Sequence, residues 1–332
     1  MNPIGDLLTS KHVVKAMGNL IELVHRTPLK QSTTLNRITG SDVFLKLENL
    51  QKTGSFKIRG ALNKVLSLPE DEAKKGIFAA SAGNHAQGIA LACSLRGVPS
   101  KIFMPKHTPL SKVSATRQYG AEAILVGDTY QESYSQALEE VEKAGSTYVH
   151  AFDDYRVMAG QGTIALEMLQ QNSQLDMIFV SVGGGGLISG MAVAAKAINP
   201  RIKIVGVQAE GASATYKKFH GIHYKGTERV GTIADGILVK EPGQKTYPLI
   251  QKYVDEMVTV SDEEIAYTIM FMLEREKMLV EGAGAAALAA VLYKKIITNG
   301  KNIGCVISGG NADSIQFMKY RELAEGAMGN II

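Results

Sequence analysis

The 332-residue chain has no tryptophan and only two cysteines, Cys93 and Cys305. Both cysteines sit in apolar segments far apart in sequence. No Cys-x-x-Cys pair and no Cys/His spacing of the metal-site kind is present. A disulfide scaffold and a zinc module are therefore excluded, and two buried thiols in a reducing compartment are expected. No apolar run approaches the ~20 residues needed to cross a bilayer. The start lacks the charged and then apolar pattern of a signal peptide. A charge excess of one sign is missing too: 36 Lys and Arg stand against 32 Asp and Glu, a net +4. The densest basic cluster, around Lys217 and Lys218, is too short for a nucleic-acid footprint. Repeats and low-complexity tracts are also absent. These absences point to a soluble cytoplasmic protein with neither nucleic acid nor membrane as partner.

Glycine, in contrast, is abundant at 34 residues, and 45% of the chain is hydrophobic. Near-continuous apolar runs predict strands at 43–47, 76–80, 100–104, 122–126, 147–150, 177–182, 203–208 and 303–307. Helical periodicity lies between them at 83–95, 111–119, 130–144, 155–170, 187–198, 262–277 and 282–297. Strands alternating with helices predict an α/β fold with parallel sheets covered on both faces. The strands fall into two clusters, 43–149 and 177 onward. Two doubly wound, mostly parallel-sheet lobes with a cleft between them are therefore expected.

Four segments carry candidate chemistry. In KLENLQKTGSFKIRG (46–60) a turn at Thr53-Gly54 leads to a helix with Ser55 as its expected N-cap. Lys57 then stands in the first helical turn, where the positive end of the helix dipole disfavours its cationic form. It is either an activated amine or a solvated cation. In SAGNHAQG (81–88) a strand runs into a helix whose free N–H groups suit a carboxylate. Ser81 could equally serve as a plain helix cap.

The third segment is GGGGL (183–187), between an apolar strand and a helix. Four glycines there leave N–H groups unshielded and form a phosphate cradle. No Gly-Lys-Ser/Thr follows, so it is not a P-loop. A dinucleotide-binding turn is the rival, with Glu210 at the end of the next strand as the ribose ligand. Its third glycine, however, is replaced by Ile188 or Ser189. The fourth segment is SGGN (308–311), with EGAG (281–284) before it as a similar glycine-rich helix entry. Either could be ordinary turn chemistry.

Together with AGQGT (159–163), these segments resemble the fold-type II pyridoxal-phosphate enzymes, and within them the threonine/serine dehydratases of the short biodegradative type. The resemblance covers nearly the whole chain. It implies a larger, cofactor-binding lobe from 1–45 plus 150–332 and a smaller, mobile substrate lobe from 46–149. Only 21 residues follow Asn311, so no C-terminal regulatory domain is expected.

The resemblance also implies roles. Lys57 is the Schiff-base lysine and Cα base, beside Phe56. Gly183, Gly184, Gly185, Gly186 and Leu187 bind the cofactor phosphate, Asn84 faces the pyridine 3′-oxygen, and Ser308 faces the ring nitrogen. Ser81, Ala82, Gly83, Asn84 and His85 cradle the substrate carboxylate, with Ser81 also counted as catalytic. The cofactor phosphate is the candidate proton donor to the leaving hydroxyl. The implied reaction is elimination and deamination of L-threonine to 2-oxobutanoate and ammonia, and of L-serine to pyruvate, a lyase activity in a homodimer or homotetramer.

Two departures and one extension accompany this. Serine racemases of the same fold carry a second serine where Ala82 stands, so elimination is favoured over racemisation. Glu210 and Ala214 match the racemases' metal site, but Tyr216 replaces its carboxylate, and no metal is expected. An AMP-type activator would fall on Thr53, Gly54, Gln87, Gln118 and Asn311. A racemase of this fold and a nicotinamide-dependent oxidoreductase remain the alternatives.

Overall fold

The computed structural model describes residues 7–223 and 230–326. Ten strands form two sheets among them. In chain order they are β1 (Leu29–Gln31), β2 (Asp42–Leu47), β3 (Ile77–Ala80), β4 (Ser100–Met104), β5 (Glu122–Leu125), β6 (Thr147–Tyr148), β7 (Met177–Ser181), β8 (Lys203–Ala209), β9 (Glu256–Val260) and β10 (Asn302–Ile307). The larger sheet has the order β1-β2-β10-β7-β8-β9 and the smaller β5-β4-β3-β6. Every pairing is parallel except the edge strand β1 on β2. All eight expected strands are present; β1 and β9, both at edges, were not expected.

One expectation of grouping is overturned. Strand β2 follows the sequence rhythm of the first cluster, yet it pairs in parallel with β10 in the larger sheet. Its buried face, Val43, Leu45 and Leu47, joins the core around Phe179, Val205 and Ile303. Alternation along the chain predicts parallel strands but does not assign them to a sheet. The expected helix 262–277 also breaks. Helix Asp262–Phe271 passes into a π-turn at Met272–Glu276, closed by Lys277 at φ 59°. That turn places Glu276 to accept from Ser32 and Lys30.

Three helices pack tightly against one another, and AGQGT explains how. A Cβ on Gly160 would lie 2.4 Å from Arg59 O, and one on Gly162 would lie 2.6 Å from Gly190 O. Glycine is needed at both positions for helix Tyr155–Gln171 to touch helices Lys57–Leu66 and Gly186–Ile198 backbone to backbone. Gln161 adds a bond from Gly60 N at 3.0 Å.

A buried charge cluster fixes the same junction. Arg59 donates to Glu48 Oε1 and Oε2 at 2.8 Å each and to Glu167 Oε1 at 2.6 Å. Lys46 Nζ donates to Glu167 Oε2 at 2.6 Å and to Thr27 O at 2.7 Å. Two cations and two carboxylates thus close on one another where the chain passes from the larger sheet into the Lys57 helix.

Candidate active site

Lys57 is the first residue of its helix. The expected cap is displaced: Phe56 holds the N-cap position, and the Ser55 hydroxyl is buried without a partner. Ser55 forms instead a β-bridge to Gly309. Phe56 N donates to Ser308 O at 3.1 Å, and Gly310 N donates to Gly54 O at 2.8 Å. Tertiary pairing with the SGGN segment therefore replaces local capping. Lys57 is partly exposed as a residue, but its amine is buried. Its Nζ donates to Ala151 O at 3.1 Å and lies 5.2 Å from the centre of the Phe56 ring. Burial brings its pKa down to about 8, with Glu281 opposing the shift.

The glycine segment turns its N–H groups outward because its carbonyls are all held from behind. Val182 O accepts from Gln208 Nε2 at 3.2 Å and Gly183 O from Thr215 Oγ1 at 3.5 Å. Gly184 O accepts from Thr246 Oγ1 at 2.7 Å and from Gly243 N at 3.2 Å. Gly185 O accepts from Ser189 N at 3.0 Å. The N–H groups of Gly184, Gly185, Gly186 and Leu187 meet no acceptor among the described residues. Side chains are excluded there: a Cβ on Gly184 would lie 2.3 Å from the Phe152 ring, and Gly185 has φ +93°. Free N–H groups at the entrance of helix Gly186–Ile198 suit a phosphate dianion.

In SAGNHAQG the helix begins at Asn84 with Gly83 at its N-cap. Ser81 does not cap it by the ordinary pattern; its Oγ accepts from Gly83 N at 3.2 Å. The N–H groups of Ala82, Asn84 and His85 meet no acceptor among the described residues. The His85 ring turns away, with Nε2 donating to Val149 O at 2.9 Å. Burial, and then the Lys57 charge, take its pKa down to about 3, so it stays neutral. Only its main chain is free for a carboxylate.

Asn84 Nδ2 donates to Glu281 Oε1 at 2.7 Å, and Asn84 Oδ1 accepts from Asn311 Nδ2 at 2.8 Å. Burial, reinforced by Asp235, pushes the Glu281 carboxyl up to about 7. This carboxyl was visible in the sequence only as the acid at a glycine-rich helix entry. Ser308 is buried; its hydroxyl donates to Ala283 O at 3.1 Å and accepts from Ser181 Oγ at 3.3 Å. Ser308 and Ser181 thus form a buried, neutral hydroxyl pair with no carboxylate bonded to it.

Of the five activator positions, Thr53, Gly54 and Asn311 come together. Asn311 Nδ2 donates to Thr53 O at 2.8 Å, and its Oδ1 fills the space a Gly54 side chain would need. Gln87 is buried and Gln118 is exposed, and among the described residues no side-chain hydrogen bond joins either to that group. Glu210 is exposed at the end of β8, and no metal-type cluster of His, Cys, Asp and Glu occurs among the described residues.

An enclosed amine, a helix entrance with free N–H groups and a neutral hydroxyl pair fit a pyridoxal-phosphate site. The match of residues 20–309 to the family model of pyridoxal-phosphate dependent enzymes agrees, and the chain belongs to that family. It is 50% identical over 307 residues to the L-threonine ammonia-lyase of Thermotoga maritima, covering 92% of this chain and 76% of the relative. To the catabolic L-threonine dehydratase of Escherichia coli K12 it is 43% identical over 304 residues, covering 91% and 92%. Among solved structures, maize serine racemase superposes with a TM-score of 0.90 at 34% identity, covering 97% of this chain and all of that one.

Proposed function

We propose that the protein is a threonine ammonia-lyase that converts L-threonine to 2-oxobutanoate and ammonia, and L-serine to pyruvate. The observation that carries this is the enclosed Lys57 amine, joined through Ala151 and Phe152 to the outward N–H groups at Gly184 and Gly186. Lys57 would hold the cofactor covalently, and the N–H groups from Gly184 to Leu187 would hold its phosphate. When bound, pyridoxal phosphate supplies an electron sink for the pair left when the Cα proton departs.

This chain's own groups then have distinct tasks. Lys57, whose cationic form burial disfavours, takes the Cα proton as a neutral amine. The free N–H groups of Ala82, Asn84 and His85 bind the substrate carboxylate and orient the Cα–H bond. Asn84, held by Glu281 and Asn311, presents its amide to the cofactor's ring oxygen. Ser308 would stand at the ring nitrogen as a neutral hydroxyl, already donating to Ala283 O, and so would not fix a positive charge there as a carboxylate would. Water is lost and then regained on hydrolysis, so threonine yields the keto acid and ammonia in equal amounts.

Racemisation, the alternative the sequence left open, is the second reading, and the likeness to the maize serine racemase structure favours weighing it. It needs an acid on the opposite face, and Ala82 has no hydroxyl to serve there. Incubation with L-serine, followed by parallel assays of pyruvate and D-serine, separates the two. Pyruvate in large excess supports the lyase; D-serine in excess overturns it. AMP is the proposed activator near Thr53 and Asn311, and threonine saturation curves that superimpose with and without AMP contradict it. A homodimer or homotetramer in the cytoplasm completes the reading, with light scattering as the test of assembly.

A further inference from the structure

We propose that Asp153 and Thr246 are positioning residues for the cofactor phosphate, acting through the carbonyl of Gly184. The inference rests on the glycine segment being the phosphate cradle.

Thr246 is fully buried and is the first residue of helix Thr246–Tyr253. Its Oγ1 donates to Gly184 O at 2.7 Å, the shortest of the bonds that hold the segment's carbonyls from behind. A peptide has its C=O and the following N–H on opposite sides. Pulling Gly184 O backward therefore aims Gly185 N–H into the cleft, where the phosphate is to be bound. Without that hold, a glycine run with φ +93° at Gly185 has other backbone states open to it.

Thr246 is itself held in place by Asp153. Helix Thr246–Tyr253 has Lys245 at its N-cap position and no side-chain cap of its own. The carboxylate of Asp153 supplies one from outside the helix. Its Oδ1 accepts from Lys245 N at 2.8 Å and from Thr246 N at 3.1 Å, and its Oδ2 accepts from Gln244 N at 3.1 Å. The fit is close: a Cβ on Gly243, whose N–H also donates to Gly184 O, would lie 2.2 Å from Asp153 Oδ1.

Asp153 is also the third of three consecutive residues that touch the site. Ala151 O accepts from the Lys57 amine, Phe152 packs its ring against Gly184, and Asp153 fixes the helix that holds Gly184 O. One short segment thus links the amine to the phosphate cradle. Neither Asp153 nor Thr246 needs to touch the cofactor to do this.

The test compares binding of pyridoxal phosphate and of pyridoxal, which lacks the phosphate, to the apoprotein by absorbance titration. Wild type, Thr246→Val, Thr246→Ser and Asp153→Asn are measured. The wild type should bind pyridoxal phosphate much more tightly than pyridoxal. Thr246→Val and Asp153→Asn should each weaken pyridoxal phosphate about tenfold and leave pyridoxal unchanged, the effect of one or two lost hydrogen bonds. Thr246→Ser, which keeps the hydroxyl, should restore tight binding. Equal weakening of both ligands marks general damage to the fold and overturns the proposal, as does unchanged phosphate binding in both variants. A wild type that does not distinguish the two ligands overturns the cradle on which the proposal rests.

Discussion

The amide of Asn84 joins the carboxyl that opens helix Gly282–Leu292, Glu281 Oε1, at 2.7 Å, across 197 residues of sequence. This contact binds the entry of helix Asn84–Arg96 to the entry of helix Gly282–Leu292. It also fixes the amide's orientation, because Asn311 donates to the other end of the same group. Glu281 pays for that role with an unfavourable burial that makes it titrate near neutral pH.

A stability prediction follows from that titration. The folded-state value near 7 lies above the ordinary 4.5. The folded protein therefore holds a proton that the unfolded chain releases between those values. Glu281 favours folding at low pH, and this contribution is lost as pH rises through 7. Glu281→Gln, which never ionises, should stabilise the apoprotein relative to wild type by up to about 3 kcal/mol at pH 8. At pH 4 the difference should vanish. Urea unfolding at both pH values measures it, and a pH-independent difference contradicts the assignment.

Gly184→Ala should abolish high-affinity cofactor binding. The added methyl would lie 2.3 Å from the Phe152 ring, so either that ring or the glycine segment must move. Moving the ring disturbs Ala151 and thus the amine; moving the segment misdirects its N–H groups. Titration with pyridoxal phosphate should show affinity fall at least about a hundredfold, the effect of losing two or more hydrogen bonds to a charged phosphate; unchanged affinity contradicts the account.

Arg59→Met should lower stability by about 3–5 kcal/mol, because it leaves Glu48 and Glu167 buried with fewer partners. Burial opposes the arginine's charge, but Glu48 and Glu167 outweigh it and hold its pKa above the ordinary value. Arg59→Lys should recover only part of the loss, since an ammonium cannot span the three carboxylate oxygens now held at 2.6–2.8 Å. Thermal unfolding of the three proteins ranks them, and equal midpoints contradict the account.

Ala82→Ser should introduce D-serine formation from L-serine that the wild type lacks. On the proposed reading, the substitution would put a hydroxyl on the face opposite Lys57, the acid that racemisation needs. Chiral chromatography of the products is the check, and a variant that makes only pyruvate shows that the hydroxyl alone is insufficient.

Much of this was legible in the sequence because fold and site share the same signals. Apolar runs gave eight strands, and the glycines at 183–186 marked a backbone that had to be bare. What escaped notice depended on distant partners. Ser55 has the chemistry of a helix cap, but Gly309 claims its backbone. Strand β2 reads like its neighbours in sequence, and only pairing with β10 assigns its sheet. Strand β1 has three residues, too few for a period. Glu281 gained its altered acidity from burial, which no spacing reveals. Ala151 acts through its carbonyl and Asp153 through a helix far along the chain, so neither residue type announced its part.

The most direct test of the central claim is a keto-acid assay with L-threonine, run on the cofactor-loaded wild type and Lys57→Ala. The account predicts 2-oxobutanoate and ammonia in equal amounts from the wild type and none from the variant. It also predicts that borohydride fixes the cofactor on Lys57 in the wild type only. Keto-acid production that survives in Lys57→Ala would contradict it.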